Sequence, residues 1–464
     1  MFKITVNTGK SEITQNFEKP ILMSTALDLM GIPFDKPCGG MGVCKKCTAV
    51  INGIEVLLCQ TTADCDTYID YRNLAENVQG VTDGITFEYT KNPVVDKGYG
   101  AAIDIGTTTV ACYIYEFPKG ECVKKTAILN PQAQHGADVI SRIMYANEGG
   151  KDQLKQQIEN AINELTKGYD IQKYVVTGNT AMLHFFAKKS TEGIAVAPYT
   201  PESLFGSWME NTYLPPCISA YVGADITWAI LSSGIKKHKT ALLVDIGTNG
   251  EMALLKDGKF LCTSTAAGPA FEGAGISCGM YASSGAINKV YMQNYKICHD
   301  TINNQKAKGM CGRAVIDALA IMLKFGIIDS NGFLEDDYYI PETDVYISPE
   351  DVRSIQLAKS AIRSGIDALI EASGVTYEDI EALYIAGGFG SYINIQNAAY
   401  IGLIPNELAG KTIICGNGAG IGASMILNNK NFIKDCEDIA NLSKVLELAT
   451  SEYFAKKYID NIMF

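Results

Sequence analysis

Four cysteines are spaced so that they can gather four thiolates at one site: Cys38, Cys44, Cys47 and Cys59, separated by five, two and eleven residues. Cys65 follows as a spare thiol, so five of the chain's 14 cysteines crowd into residues 38–65 of 464. The N-terminus alternates like a strand and shows no signal-peptide pattern. In such a chain the clustering points to a metal or cluster site rather than a disulfide framework. Gly39, Gly40 and Gly42 relax the first loop and let backbone N–H groups approach cluster sulfurs. The spacing favours a 2Fe–2S cluster; a structural zinc site and unliganded thiols are the alternatives. Lys45 and Lys46, on the same loop, are either docking residues for an acidic partner or simply solvated.

A second chemistry is written twice. Ala101–Thr109 ends an apolar run in Asp-Ile-Gly-Thr, and Leu242–Gly250 repeats that run from Asp245. Each copy is a strand ending in a carboxylate, a tight turn and a second strand. Two such turns facing each other would set Gly106, Thr107, Thr108 and Thr109 with Gly247, Thr248 and Asn249 around one anion, and Asp104 with Asp245 near its metal. Gly178-Asn179, the loop opened by Gly268, Ala386–Gly390 and Gly416–Ala423 add glycine turns that could receive phosphate or let a flat nucleoside approach the backbone. There is no Walker-type P-loop, so a nucleotide would use this bipartite clamp.

The elements around these residues divide the chain. Phe2–Val6 and Glu12–Phe17 read as a hairpin and Ile21–Met30 as a helix. The hairpin Thr48–Ile51 with Ile54–Leu58 returns Cys59 toward Cys47, and Ile85–Tyr89 reads as a final strand. Residues 1–92 are thus expected to form a β-grasp domain and 93–99 a short linker. The remainder is an α/β region in two lobes, 100–240 and 241–464, whose C-terminal helix can return to the first lobe. Ser348-Pro349-Glu350-Asp351 opens a long helix closed by Gly374. With 47% hydrophobic and 19% charged residues, the chain has enough apolar surface for several folded cores. A net charge of −12 without a basic run excludes a generic nucleic-acid binder. No eighteen-residue apolar stretch occurs, Asp225 breaking the most apolar run, so a cytoplasmic protein without a membrane partner is expected.

The duplicated Asp-Ile-Gly-Thr followed by Ala-Gly-Gly resembles the acetate kinase, sugar kinase, heat-shock chaperone and actin superfamily of ATPases. That resemblance implies a duplicated ribonuclease-H-like (actin-like) fold with nucleotide between two lobes. The cysteine loop, Asn130-Pro131-Gln132, Gly136–Ile143, Asp245–Glu251, Gly268–Gly273 and Ala386–Gly390 together resemble the reductive activators of corrinoid proteins, in which a ferredoxin is fused to an ATPase. The first cysteine gap is one residue longer than in the plant-type ferredoxin pattern.

This resemblance implies ATP and Mg²⁺ as ligands, with Asp104 and Asp245 on the metal and Thr107, Thr108 and Thr248 donating to phosphates. It also implies Gly387, Gly388 and Gly390 against adenosine, and Glu251 and Glu272 as candidates to orient water or metal. A 2Fe–2S cluster on the four cysteines would carry an electron from an external low-potential donor to the cob(II)alamin of a partner corrinoid protein, restoring cob(I)alamin for methyl transfer. No Asp-x-His-x-x-Gly pattern surrounds a histidine, so the corrinoid belongs to a partner. Lys91–Tyr99 leaves no room for the family's longer linker and middle domain, which implies a short form without it. The alternatives are an activator of another low-potential metalloenzyme, a redox-sensing nucleotide-dependent binding protein and a small-molecule kinase.

Overall fold

A computed structural model describes the chain except for residues 9–11, 31, 33–46, 52, 71–81, 137 and 389–392. Cys38, Cys44, the glycines and lysines of their loop, and Gly390 therefore lie outside the described residues. Both N-terminal hairpins form, Phe2–Asn7 with Glu12–Phe17 and Thr48–Ile51 with Ile54–Leu57. They join one five-stranded sheet in which Phe2–Asn7 runs parallel to Thr67–Asp70 at the centre. Alternation turns Phe2, Ile4 and Val6 inward, where they meet Met23, Ala26 and Leu27 of the helix Met23–Leu29 in a core of their own. These residues thus form a mixed sheet with one helix packed on it.

The strand expected at Ile85–Tyr89 is not formed, and Thr67–Asp70 occupies the central position instead. Phe87 and Tyr89 pack edge-on against Phe432, with ring centroids 6.2 and 5.2 Å away, far along the chain from the first sheet. Two-residue alternation marks an extended segment but does not choose its partner, and here aromatic packing on the C-terminal half decides.

Two six-stranded sheets repeat one plan. In the first, the meander Gly98–Ile105, Thr109–Phe117 and Glu121–Leu129 is extended by Ile171–Gly178, parallel to the first strand. In the second, Thr240–Ile246, Gly250–Lys256 and Lys259–Thr265 form the meander, with Leu383–Ala386 and then Thr412–Gly416 parallel beside it. The two central strands are buried on both faces, which is why they read as continuous apolar runs interrupted only by Asp104 and Asp245. The long helix is observed at Pro349–Ser373, with a capping box between Ser348 and Asp351 and Gly374 left-handed at its end.

The return to the first lobe is not made by the C-terminal helix. Glu452–Asp460 stays on the second lobe, packed on Pro349–Ser373, and Asn461 donates to Ser364 at 2.9 Å and Asp367 at 3.0 Å just beyond it. Instead, Gly418–Asn428 crosses over and packs on Gly98–Ile105, Ile171–Gly178 and the helix Ala224–Ser233. Gly422 allows it: a Cβ there would sit 2.8 Å from both Cβ and O of Trp228. Among the described residues no helix is long and apolar enough to cross a membrane.

Gly422→Val should therefore lower the unfolding free energy by about 1–3 kcal/mol through overpacking. Chemical denaturation checks this, and an unchanged midpoint would mean that the two helices do not meet this closely.

Candidate functional site

The two Asp-Ile-Gly-Thr turns face each other across a cleft. Gly106 N–H bonds Thr109 O at 2.9 Å in the first turn, and Gly247 N–H bonds Asn249 O at 3.0 Å in the second. The hydroxyls of Thr108 and Thr248 lie 3.4 Å apart, and both donate to one oxygen of Glu272, Thr248 at 3.1 Å. Glu272 ends the single turn Pro269–Glu272 and thus ties the turn of one lobe to the turn of the other.

The first turn is held from behind by residues that the sequence placed together only by resemblance. Asn130 donates to Gly106 O at 2.7 Å, and the fully buried Arg142 donates to Thr107 O at 2.7 Å and Gly136 O at 2.9 Å. Asn179 donates to the Thr107 hydroxyl at 3.2 Å while its own oxygen caps Thr180–Phe186 through Met182 N–H. In the second lobe Glu251 lies directly across the ladder from Asp245, so both side chains leave the same face of the sheet. Gly387 adopts φ +94°, and a Cβ there would stand 2.5 Å from Asp245 Oδ1.

Of the expected residues, Asp104, Gly106, Thr107, Thr108, Thr109, Asn179, Asp245, Gly247, Thr248, Asn249, Glu251, Glu272, Gly387 and Gly388 all line this cleft. Gly178 and Gly268 do not line it; each precedes a lining element, Gly178 before Asn179 and Gly268 before the turn carrying Glu272. Sequence reasoning missed Asp225 and Asn417, which also line it, together with a wall that includes Phe271, Tyr281 and Arg313. Asp225 had announced itself only as the lone carboxylate in an apolar run. Asn417 stood inside a glycine-rich loop whose glycines drew the attention.

In the N-terminal sheet, Cys47 and Cys59 are buried at one end of their hairpin, where Leu58 N–H bonds Cys47 O at 3.0 Å. The hairpin thus sets Cys47 across from Leu58, the residue before Cys59, and thiols are the soft donors that an iron–sulfur or zinc site takes. Cys65 is exposed.

Burial governs the electrostatics of the cleft. It pushes Asp104 up to about 7, against a hydrogen bond from Asn417 at 2.8 Å and with added repulsion from Asp225. Asp245 is pushed up to about 8 by burial and then by Asp225, Asp104 and Glu272. Burial also raises Glu251, Glu272 and Asp225. Such a set of hard oxygen donors fits Mg²⁺, which takes one or two carboxylates beside phosphate oxygens and water. Among the described residues no three His, Cys, Asp or Glu side chains gather closely enough to hold a metal ion on their own.

An unfolded carboxylate titrates near about 4. Between about pH 4 and 8 the folded protein therefore keeps protons that the unfolded chain has lost, and without metal its stability falls as pH rises through that window. We expect a lower thermal midpoint at pH 8.5 than at pH 6 without metal, and a larger gain from Mg²⁺ with ADP at pH 8.5. Equal gains at both values would show that Asp104 and Asp245 do not meet the ion.

The family region described as "C-terminal domain of RACo the ASKHA domain" matches residues 239–464, and "RACo middle region" matches 99–238. The second match corrects the expectation of a short form. The counterpart of the middle region is the first lobe itself, so the brief stretch at 91–99 need not accommodate it. "Corrinoid activation enzyme RamQ" of Eubacterium limosum is 35% identical, the match covering 79% of this chain and 70% of the relative. A "[Co(II) methylated amine-specific corrinoid protein] reductase" of Methanosarcina barkeri is 28% identical over 79% of this chain and 77% of the relative. The solved structure of a "Reductive activator for corrinoid,iron-sulfur protein" superposes with a TM-score of 0.75 at 26% identity, covering 100% of this chain and 98% of that one. With an actin-like pair of lobes and both of the family's characteristic regions in order, the chain belongs to the RACo family of corrinoid activators.

Proposed function

We propose that this chain is an ATP-dependent reductive activator. One electron passes from a 2Fe–2S cluster on Cys38, Cys44, Cys47 and Cys59 to the cob(II)alamin of a partner corrinoid protein, leaving cob(I)alamin ready for methyl transfer. The observation that carries the reading is the joining of Thr108 and Thr248 through Glu272 at the floor of a carboxylate-lined cleft. The names of the relatives supply the corrinoid partner.

When bound, the cluster supplies a one-electron donor; plant-type clusters work near about −400 mV. Reduction of cob(II)alamin is harder still, and each ~59 mV of a one-electron gap is a tenfold factor in equilibrium. ATP is the source of the missing drive. Asp104 and Asp245 hold Mg²⁺ directly or through water, and the two turns offer backbone N–H groups and the hydroxyls of Thr107, Thr108 and Thr248 to the phosphates. Gly387 and Gly388 line the cleft where adenosine would lie, and the missing Cβ at 387 lets that loop press against Asp245. Glu251, across the ladder from Asp245, orients water in this reading. Positioning and charge neutralisation carry phosphoryl transfer, so little else is required of the protein. Closure of the lobes on ATP is the moving part that acts on the partner.

The test is anaerobic reduction of a corrinoid protein followed by its cob(I)alamin absorbance, with reductant, Mg²⁺ and ATP. Wild-type protein should reduce the partner only with ATP. Asp245→Asn should lower the ATP-dependent rate by about 10²–10³-fold, the scale of losing one electrostatic contact to the transition state. Equal reduction with and without ATP would sink the proposal.

A further inference from the structure

The segment Asp83–Val95 joins the N-terminal sheet to the ATPase in sequence, yet it behaves as part of the ATPase. At its start it forms an antiparallel bridge, Gly84 facing Gly416, flanked by Asn417 N–H to Asp83 O at 2.7 Å and Ile85 N–H to Cys415 O at 2.9 Å. The two backbones touch: a Cβ on Gly84 would lie 2.7 Å from Ile421 Cγ1, and one on Gly416 would lie 2.2 Å from Asp83 O. Further along, Asn92 N–H bonds Asn428 O at 2.8 Å, Val94 N–H bonds Leu427 O at 3.1 Å, and Asn429 donates to Thr90 O at 2.7 Å. The strap is thus fastened at both ends of the crossover helix Gly418–Asn428.

What the strap grips is the nucleotide cleft. Asn417, whose N–H holds Asp83, caps that helix by accepting from Gly420 N–H at 2.6 Å and donates its amide to Asp104 Oδ2 at 2.8 Å. Its neighbour Gly416 accepts from Gly387 N–H at 3.0 Å, in the loop beside Asp245. Two consecutive residues therefore touch the carboxylate of the first lobe, the glycine loop of the second and the segment leading to the cysteines. Asn417 cannot tilt away from Asp104 without losing its cap, and the backbone at 416–417 cannot shift without carrying the strap.

We propose that Asn417 is a positioning residue for Asp104 and, with the Asp83–Ile85 bridge, couples occupancy of the nucleotide site to the hold on the strap. The proposal rests on the nucleotide reading above. Coupling of this kind is reciprocal: whatever factor nucleotide adds to strap protection, the strap adds to nucleotide affinity.

The experiment is amide hydrogen exchange on the full-length protein with and without Mg²⁺ and ADP, alongside calorimetric titration of ADP. In the wild type, ADP should slow exchange at Ile85 about tenfold, within the usual range of coupling energies. Asn417→Ser can still cap the helix but is too short to reach Asp104. It should keep the nucleotide-free exchange rate at Ile85 and lose the ADP effect. Gly84→Ala, which alters no residue of the cleft, should speed exchange at Ile85 and weaken ADP binding about tenfold. If ADP binds but leaves Ile85 unchanged, or if Asn417→Ser retains the full ADP effect, the coupling is wrong and the nucleotide reading stands. If ADP does not bind the wild type, both fall.

Discussion

Gathering several carboxylates, most of them half-buried, along one cleft is the constraint from which the rest of this structure follows. Asp104 and Asp245 end strands buried on both faces, and Glu251 and Glu272 face the same cleft. Burial disfavours their charged forms, and their mutual repulsion adds to that cost. Hydrogen bonds from Asn417 to Asp104, from the two threonines to Glu272 and from Asn249 to Glu251, with the charge of Arg142 near Glu272, offset part of it. The net balance still leaves the carboxylates raised, which suits a cation arriving with its nucleotide.

The two lobes meet this constraint differently although they repeat one plan. The first turn is braced by a buried cation: Arg142, itself pulled down to about 10 by burial, spends its donors on the carbonyls of Thr107 and Gly136. The second turn has no such brace in the hydrogen bonds described; it is enclosed by Glu251 across the ladder and by the Gly387 loop pressed against Asp245. The backbone plan is thus shared while its supports are local.

Much of this was legible in the residue order. The paired Asp-Ile-Gly-Thr motifs gave two strand-turn-strand units because apolar runs, a carboxylate and a glycine turn are local signals, and both units formed as read. The hairpin Thr48–Ile51 with Ile54–Leu57, which sets Cys47 across from Leu58, formed because a hairpin is also local. What could not be read was partner choice at long range. Ile85–Tyr89 alternates like a strand, yet its neighbours are Cys415 and Phe432. Asp225 reaches the cleft only because Ala224–Ser233 is set in place by Gly418–Asn428, a packing of small residues across nearly two hundred positions. The crossing helix was sought at the C-terminus, while the glycines of Gly418–Asn428, read as a nucleotide loop, were there to let two helices approach.

That double use of glycine bears on how the cleft is linked to the N-terminal sheet. A long flexible tether would leave the N-terminal sheet indifferent to the cleft, since its ends would move independently. Here the segment from Asp83 onward is instead bonded to the helix capped by Asn417, and Asp83 accepts from the N–H of the same residue whose side chain holds Asp104. In the proposed coupling, a motion of the lobes that shifts the cleft carboxylates shifts that anchor as well or breaks the bridge at Gly84, because the two glycines leave no room there for a slack side chain.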